Sequence, residues 1–237
     1  MDSQPPVVLV TGAAGNLGAA ICQKFATDGA RLVAVDLSAD TVRDRLAHLG
    51  LGDDRLLALG VNILDETAVQ ALANQAGATF GRIDVLANVA GGFTMGTPVH
   101  ATPLATWRHM LDLNATSVLI LAQAVVPVML AQSHGRIINV SARAALKGEA
   151  LMAAYCVGKA AVLRLTEAMA AELGDSGITV NCILPSMIDT PQNRSAMPEA
   201  DFSKWVTAAS LADTVAFLAS EQARDISGGA IPVYGRA

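Results

Sequence analysis

Short runs of apolar residues alternate with longer helical patterns along the whole 237-residue chain. The runs have the length of strands and are nearly continuous in valine, isoleucine, leucine and alanine, which is typical of parallel strands buried on both faces. Strands are predicted at 7–11, 31–36, 55–61, 85–89, 136–141, 179–184 and 230–233. Helices are predicted at 17–27, 41–49, 66–78, 104–130, 153–173 and 211–219. This alternation predicts an α/β fold, a doubly wound parallel sheet with helices on both faces.

No linker, low-complexity tract or internal repeat interrupts the alternation, so we expect a single domain over residues 1–237. Hydrophobic residues make up 52% of the chain, charged residues 16%, and the mean hydropathy is +0.43, which indicates extensive burial, including subunit interfaces. The net charge of -5 and the lack of a Lys/Arg cluster argue against nucleic acid or an anionic membrane as a partner.

Several segments bear on the cellular location. The first six residues carry no basic signal region, and the apolar run 7–10 is too short for a signal sequence. The apolar run 117–131 is interrupted by Gln123 and Pro127 and is shorter than the roughly 20 residues that span a membrane, so a buried helix is expected. Three cysteines without a C-x-x-C pair suggest reduced thiols in the cytoplasm. The four histidines show no metal-ligand spacing, so no metal is predicted.

The first predicted strand ends in a run of small residues, Thr11 to Gly18, that leads directly into a helix. Small residues let the backbone approach a phosphate, and the helix N-terminus offers free N–H groups and the positive end of the dipole. Asp36 closes the next strand 24 residues past Gly12, where a carboxylate can accept hydrogen bonds from ribose hydroxyls. The pattern predicts a dinucleotide site, and its alternative is a tight turn without a ligand.

Asp36 also bears on the choice of dinucleotide. Its carboxylate would repel a 2′-phosphate, and the following Leu37 and Ser38 offer no cation to bind one. NAD(H) is therefore favoured, and NADP(H) is left open.

Tyr155 and Lys159 lie four residues apart in an alanine-rich helical run, so their side chains share one helix face. An unperturbed tyrosine has a pKa of about 10. A nearby ammonium would stabilise the phenolate and bring the group towards proton transfer near neutrality. The alternative is an ordinary amphipathic helix, and the position of the pair in the chain decides between the two.

Five motifs resemble the short-chain dehydrogenase/reductase family in order and spacing over nearly the whole chain. They are Thr11-Gly12 to Gly18, Asn88-Val89-Ala90-Gly91, Asn114, Tyr155 with Lys159, and Pro185 to Thr190. The resemblance implies a seven-stranded Rossmann domain in which Tyr155 is the general acid/base. It also implies that Lys159 lowers the tyrosine pKa and binds the nicotinamide ribose, and that Asn114 holds a water of the proton relay.

The resemblance assigns further residues to the cofactor and to assembly. It implies that the glycine turn, with Gly12, Gly15, Leu17 and Gly18, holds the pyrophosphate. Asn88, Ala90 and Gly91 would pack under the adenosine half, and Pro185, Ile188 and Thr190 would lie at the carboxamide end of the nicotinamide. The family usually forms dimers or tetramers through its long central helices, a role that suits 117–131 and 157–171.

Two departures from the family pattern affect the cofactor site. Asn16 stands where the family usually has glycine, with Gly15 one place early. Asparagine tolerates a left-handed backbone, so the turn can survive, and the side chain would either contact the pyrophosphate or cap the helix. Asn62 stands where many relatives carry an aspartate that reads the adenine amino group, and its carbonyl can accept the same hydrogen bond.

A third departure concerns catalysis. The family's catalytic serine usually lies 13 residues before the tyrosine, where this chain has Ala142. Ser141 is one residue off, which in a strand points to the opposite face, so it could serve only if the strand end bulges. Loss of such a donor costs about 3–4 kcal/mol in comparable oxyanion sites. We therefore expect a substrate that needs little polarisation, such as a quinonoid dihydropterin.

A second resemblance, to the dihydropteridine reductase branch of the family, points the same way, because that branch also has alanine in place of the serine. It is carried by residues 89–93, by 141–155 and above all by Asp189 to Trp205. The segment 185–207 follows the sixth strand, so we expect it to cover the substrate. Candidate pocket residues, each of which could instead be core packing, are Phe93, Ala142, Met152, Met187, Phe202 and Trp205.

Three functions follow. The first is NADH-dependent reduction of an activated C=N or C=O group. The second is an alcohol/ketone or 3-oxoacyl thioester dehydrogenase or reductase that brings Ser141 into service. The third is a cofactor-binding scaffold without chemistry, against which the joint presence of Tyr155, Lys159 and Asn114 argues.

Overall fold

The computed structural model describes residues 4–236. Residues 1–3 and residue 237 of the predicted domain lie outside the described range. The strands are β1 Val7–Thr11, β2 Arg31–Asp36, β3 Leu56–Gly60, β4 Val85–Asn88, β5 Gly135–Val140, β6 Ile178–Pro185, β7 Ile188–Asp189, β8 Val206–Thr207 and β9 Ala230–Val233. The α-helices are α1 Asn16–Thr27, α2 Ala39–Leu46, α3 Glu66–Phe80, α4 Leu104–Leu111, α5 Ser117–Gln132, α6 Ala153–Leu173, α7 Pro191–Ala196 and α8 Ala208–Leu218.

Seven strands form one parallel sheet in the order β3-β2-β1-β4-β5-β6-β9. The chain winds outward from β1 to β3 and then returns to place β4 on the other side of β1. This reversal opens a crevice at the carboxyl ends of β1 and β4, where ligands bind in folds of this kind. The predicted doubly wound α/β fold is confirmed.

Apolar side chains pack in layers on both faces of the sheet. Residues of α1, α2 and α8 pack on one face, and residues of α3, α5 and α6 pack on the other. Because β1 and β2 are covered from both sides, their apolar positions show no alternation in the sequence.

The predicted helix 104–130 is present as the continuous helical stretch Leu104–Gln132, with one internal irregularity that was not predicted. Residues Asp112–Thr116 form a π-helical turn between α4 and α5. The Asn114 side chain, at the centre of this turn, donates to the carbonyl of Met110 at 3.0 Å and so competes for a backbone acceptor. The apolar pattern continues through the turn and does not reveal it.

The stretch Leu104–Gln132 is apolar and long enough to cross a membrane, yet 56% of its most apolar window is buried inside the protein.

The segment 185–207 is more ordered than its predicted description as a covering loop. It contains β7, the short helix α7 and β8, and β7 pairs with β8 in a separate two-stranded parallel sheet. Thr190 begins α7 by accepting a hydrogen bond from the backbone N–H of Asn193. Strands of two residues are too short to leave a periodic signal, which explains why they were not predicted.

Candidate active site

The glycine turn between β1 and α1 has no room for side chains at two positions. Gly12 has a φ of 68°, and a β-carbon added there would lie 3.0 Å from the backbone nitrogen of Ala90. A β-carbon added at Gly18 would overlap the carbonyl oxygen of Gly12. The turn can therefore bring bare backbone to a phosphate at the N-terminus of α1, which fits the pyrophosphate of a dinucleotide.

Asn16 does not have the left-handed backbone considered for it from the sequence. Gly12 supplies that conformation, and Asn16 is the first residue of α1. The Asn16 side chain makes no helix cap and instead contacts two distant residues. Its Nδ2 donates to Gln192 Oε1 at 2.8 Å, and its Oδ1 accepts from Arg45 at 3.1 Å.

The carboxylate of Asp36 lies beside the glycine turn, as a ribose-binding group should. It accepts hydrogen bonds from the backbone N–H of Ala14 at 3.1 Å and of Leu37 at 2.8 Å. Asn62 is exposed, and its Oδ1 accepts from the N–H of Leu64 at 3.1 Å. Reading of adenine by this oxygen would compete with that local bond.

The segment that follows β4 is held to β1 by hydrogen bonds. Thr11 Oγ1 accepts from the backbone N–H of Val89 at 3.1 Å and of Ala90 at 3.2 Å. Asn88 is buried, and its Nδ2 donates to Asn139 at 2.8 Å. These bonds hold the backbone of residues 88–91 against the turn.

Three of the predicted site residues meet at Gly91. A β-carbon added at Gly91 would lie 2.8 Å from Asn114 Oδ1 and 3.1 Å from Lys159 Nζ. Asn114 also bonds the N–H of Gly92 at 3.2 Å and its carbonyl at 3.1 Å. The Lys159 ammonium donates to the carbonyl of Val140 at 2.8 Å. The end of β4, the π turn and α6 therefore converge on one point of the crevice.

Gly158, between the tyrosine and the lysine, allows this convergence. A β-carbon there would lie 3.1 Å from the carbonyl oxygen of Met110 and 3.3 Å from the β-carbon of Asn114. A larger residue would push α6 away from the π turn. The sequence shows that this helix contains a glycine, but it does not show which segment packs against it.

Burial dominates the protonation of the two central groups. It raises the pKa of Tyr155 to about 12 and lowers the pKa of Lys159 to about 8. The direction for the tyrosine pKa is opposite to the lowering expected from a neighbouring ammonium, because desolvation by burial raises the pKa and the ammonium is directed at the Val140 carbonyl. Within residues 4–236 no group hydrogen-bonds to the Tyr155 hydroxyl. The rings of Tyr155 and Phe93 are nearly perpendicular, with their centroids 5.0 Å apart.

Ser141 faces away from this point. Its side chain is buried, and its Oγ donates to the carbonyl of Lys159 at 2.8 Å, while its N–H bonds Ile183. The strand does not bulge here, since β5 and β6 remain in register to Val140 and Ile183. Ala142 follows in an extended conformation and is 6% exposed. No hydroxyl is thus offered at the position where the family usually has one.

The predicted pocket residues fall into two groups. Phe93 is 57% exposed beside Tyr155, and Met152 immediately precedes α6. Phe202 and Trp205 instead pack against each other with their rings tilted by 56° and their centroids 4.8 Å apart, and the Arg194 guanidinium lies over the Phe202 ring at 4.8 Å. Met187 bonds Val206 through its carbonyl. In the described chain no ring contact or hydrogen bond joins this second group to Tyr155.

The remaining predicted residues lie at the carboxyl end of β6. Pro185 ends that strand, Ile188 begins β7, and Thr190 caps α7. A cavity of about 500 Å³ lies elsewhere, between α3 and α5, and none of the predicted site residues lines it. Within the described residues, no group of three or more His, Cys, Asp or Glu side chains is placed to hold a metal ion.

Two features of the site could not be read from the sequence. Leu151, next to Met152, has a φ of 64°, and its carbonyl accepts a hydrogen bond from Gly96 at 3.0 Å. Arg45 reaches the glycine turn from α2. A left-handed leucine and a contact 29 residues away leave no sequence signal.

Comparison with known proteins identifies the family. A sequence profile described as short chain dehydrogenase matches residues 6–201. The chain is a short-chain dehydrogenase. It is accordingly an NAD(P)-dependent oxidoreductase, as the motifs around Tyr155 predicted.

Several relatives match this dehydrogenase over nearly the full length of both chains. The 2-(R)-hydroxypropyl-CoM dehydrogenase of Xanthobacter autotrophicus is 34% identical and covers 97% of each chain. The D-threitol dehydrogenase of Mycolicibacterium smegmatis is 34% identical over 97% of this chain and 91% of its own. The 3-oxoacyl-[acyl-carrier-protein] reductase of Escherichia coli is 28% identical over 99% and 98%.

A solved structure agrees with the fold. Carveol dehydrogenase from Mycobacterium avium, in complex with NAD, superposes with a TM-score of 0.88 at 25% identity and covers 98% of this chain and 97% of its own. These relatives are alcohol and diol dehydrogenases and an oxoacyl reductase, and they favour the second function considered from the sequence over the dihydropteridine reductase branch.

Proposed function

We propose that this short-chain dehydrogenase interconverts a small secondary alcohol and the corresponding ketone with NAD(H). The observation that carries the proposal is the Tyr155 hydroxyl, which has no hydrogen-bond partner among the described residues and lies one helical turn from buried Lys159. An unpaired phenol beside a crevice is placed to exchange a proton with a substrate oxygen. The relatives' names, which describe reactions at hydroxyl or oxo groups, support the same chemistry.

Each residue of the site has a part in this proposal. A bound nicotinamide would supply the hydride chemistry at the substrate carbon. Tyr155 gives the proton to the ketone oxygen or takes it from the alcohol. Lys159 supplies positive charge behind the phenol, and Asn114 fixes the backbone of Gly92 beside it. Phe93, exposed and packed against the Tyr155 ring, provides an apolar wall for the substrate.

Asp36 supports a preference for NAD(H) over NADP(H). Its carboxylate lies at the glycine turn, where it would bind ribose hydroxyls and repel a 2′-phosphate. Steady-state assays with the two reduced cofactors should give a lower KM for NADH, and a lower KM for NADPH would contradict this preference.

A second candidate function rests on Ala142 and Ser141. With alanine at the family's serine position and Ser141 hydrogen-bonded to the α6 backbone, the substrate oxygen would receive a hydrogen bond from Tyr155 without the usual second donor. A site of this kind suits an electrophile that is already activated, such as a quinonoid dihydropterin. The loss of one donor costs about 3–4 kcal/mol for an ordinary carbonyl.

The two candidates are separated by adding the hydroxyl back. The purified enzyme and Ala142→Ser are assayed with NADH and a panel of small ketones, a 3-oxoacyl thioester and a quinonoid dihydropterin. For a ketone reductase we expect Ala142→Ser to raise kcat by about tenfold or more, because the new hydroxyl would add the missing donor. Fast dihydropterin turnover that Ala142→Ser leaves unchanged, with no ketone turnover, would reject the first proposal.

Two control variants complete this experiment. Tyr155→Phe should lower turnover of every substrate by about a thousandfold while NADH binding persists. Unchanged turnover in this variant would favour a role without chemistry at Tyr155. Ser141→Ala should alter turnover by less than about threefold, since its hydroxyl is bonded to the Lys159 carbonyl.

We further propose that the enzyme works as a homodimer or homotetramer in the cytoplasm, on a small-molecule substrate. Exposed apolar side chains on the two long central helices support self-association, namely Leu119 and Leu130 on α5 and Val157 on α6. Light scattering after gel filtration tests this, and a monomer at micromolar concentration would contradict it.

A further inference from the structure

Three side chains from distant parts of the chain meet at the glycine turn of the cofactor site. Asn16, at the start of α1, donates to Gln192 of α7 at 2.8 Å. Its oxygen accepts from Arg45 of α2 at 3.1 Å. This bridge of three side chains thus joins the segment 185–207 to the glycine turn, 176 residues away in the sequence.

The Gln192 contact is isolated within its segment. The other side-chain hydrogen bonds of α7 are local, with Asn193 bonding Ile188 and Arg194 bonding Asp189. Among the described residues, the Asn16–Gln192 pair is the one hydrogen bond between residues 188–205 and the first half of the chain. The position of α7 relative to the glycine turn therefore depends on this bond more than on any other polar contact.

Arg45 brings a free positive charge to the same place. Within the described chain it has no carboxylate partner, and Asn16 is the group that it contacts. A guanidinium held against the N-terminus of α1 adds to the field that attracts a phosphate there. The glycine that the family usually has in place of Asn16 could not make either bond, so the bridge is a property of this chain.

We propose that Asn16 and Gln192 form a clasp that holds α7 over the pyrophosphate of the bound dinucleotide and slows its release, with Arg45 orienting Asn16. The clasp must open whenever the cofactor enters or leaves. Its three members are positioning residues, and hydride transfer at Tyr155 does not involve them. The inference rests on dinucleotide binding, which family membership establishes, and is independent of the substrate.

The test measures release of NADH directly. Enzyme loaded with NADH is mixed in a stopped-flow instrument with excess NAD⁺, and the decay of nicotinamide fluorescence gives the dissociation rate constant. We expect Asn16→Gly and Gln192→Ala each to raise that constant about threefold to tenfold, the effect of losing a net hydrogen bond. The double variant should be no faster than Asn16→Gly alone, because both changes open one clasp.

Matched variants keep the result interpretable. Ser195→Ala, on the exposed face of α7 with no contact of its own, should leave release unchanged. Single-turnover hydride transfer, measured with any active substrate, should stay within twofold of wild type in Ser195→Ala. Gln192 is exposed, so its variant remains informative if Asn16→Gly folds poorly.

Two results would overturn the proposal. One is NADH release that is unchanged in both Asn16→Gly and Gln192→Ala, and the other is a double variant whose effects multiply. An Arg45→Ala variant that loses affinity for NADPH with unchanged NADH release would overturn the orienting role of Arg45. Because NADH release needs no substrate, failure of the clasp and failure of the alcohol/ketone assignment are distinguished.

Discussion

The two halves of the crevice are held together by different kinds of contact. In the cofactor half, the glycine turn and residues 88–91 are fixed by backbone atoms at close approach and by the buried hydroxyl of Thr11. In the substrate half, residues 188–205 are held by the short β7–β8 pairing and, around α7, by side chains at the surface, such as Arg194 paired with Asp189 and placed over the ring of Phe202.

This difference explains how one fold accommodates many substrates. The glycines of the turn cannot be replaced freely, because a β-carbon added at Gly12 or Gly18 would lie within about 3 Å of backbone atoms and would displace the main chain. Exposed ion pairs and ring contacts contribute little stability individually and can be exchanged without loss of the fold. The cofactor half is therefore expected to respond sharply to small substitutions and the substrate half mildly.

The largest effect is expected where the halves meet, at Lys159. Lys159→Met removes the buried ammonium, and we expect turnover to fall by about a thousandfold. Burial lowers the lysine pKa to about 8 in the folded state, whereas the unfolded chain keeps it near 10.5. Below pH 8 the buried charge destabilises wild type, so Lys159→Met should be the more stable protein at pH 7.

The same pair of proteins tests the sign of this effect. Between about pH 8 and 10.5 the unfolded lysine binds more protons than the folded one, so wild type should gain stability over the variant, by about 3 kcal/mol. Urea unfolding of both proteins at each pH measures the difference in their free energies of unfolding. The titration of the buried Cys22 and Cys182 thiols affects both proteins equally and cancels in this difference. If the difference in unfolding free energy between wild type and Lys159→Met did not change with pH, the lowered pKa of buried Lys159 would be contradicted.

The next effect is expected in the cofactor half. Gly18→Ala places a β-carbon on the carbonyl of Gly12 and should weaken NADH binding by one to two orders of magnitude, equivalent to about 1–3 kcal/mol of overpacking. Fluorescence titration measures it. Gly77→Ala is the matched control, since its β-carbon would meet nothing within 4 Å inside α3, and it should stabilise the protein by about 0.5–1 kcal/mol. Equal NADH binding by both variants would mean that the glycine turn tolerates a side chain, against the close backbone contacts described for the cofactor half.

The smallest effect is expected in the substrate half. Arg194→Ala frees Phe202 and Asp189, and we expect the KM for substrate to rise about threefold to tenfold with the melting temperature unchanged. Arg224→Ala, which removes an exposed ion pair remote in sequence from this segment, should alter neither quantity. A fall in melting temperature of Arg194→Ala by several degrees would mean that the substrate half is also part of the stable framework.

The order and type of the sheet elements were predictable because each strand carries its own apolar run. Strands β1, β2 and β9 and helix α6 have the predicted bounds, and the other strands of the large sheet differ by one residue at one or both ends. The π turn, α7 and the pair β7–β8 were missed, since they depend on contacts such as that of Asn114 with Met110. The roles of Tyr155, Lys159 and Asn114 remain predictions, although the fold brings Lys159 and Asn114 together at Gly91.

The sequence by itself determined the fold class, the family and the positions of the tyrosine, the lysine and the glycine turn, because these depend on residue type at short spacing. Only the tertiary structure decided that Ser141 bonds the Lys159 backbone, that burial reverses the expected shift in the Tyr155 pKa, and that Asn16 links Arg45 to Gln192. These are consequences of packing between segments far apart in the chain. Local patterns specify which elements form, whereas the partner of a polar side chain is set by the element that packs against it.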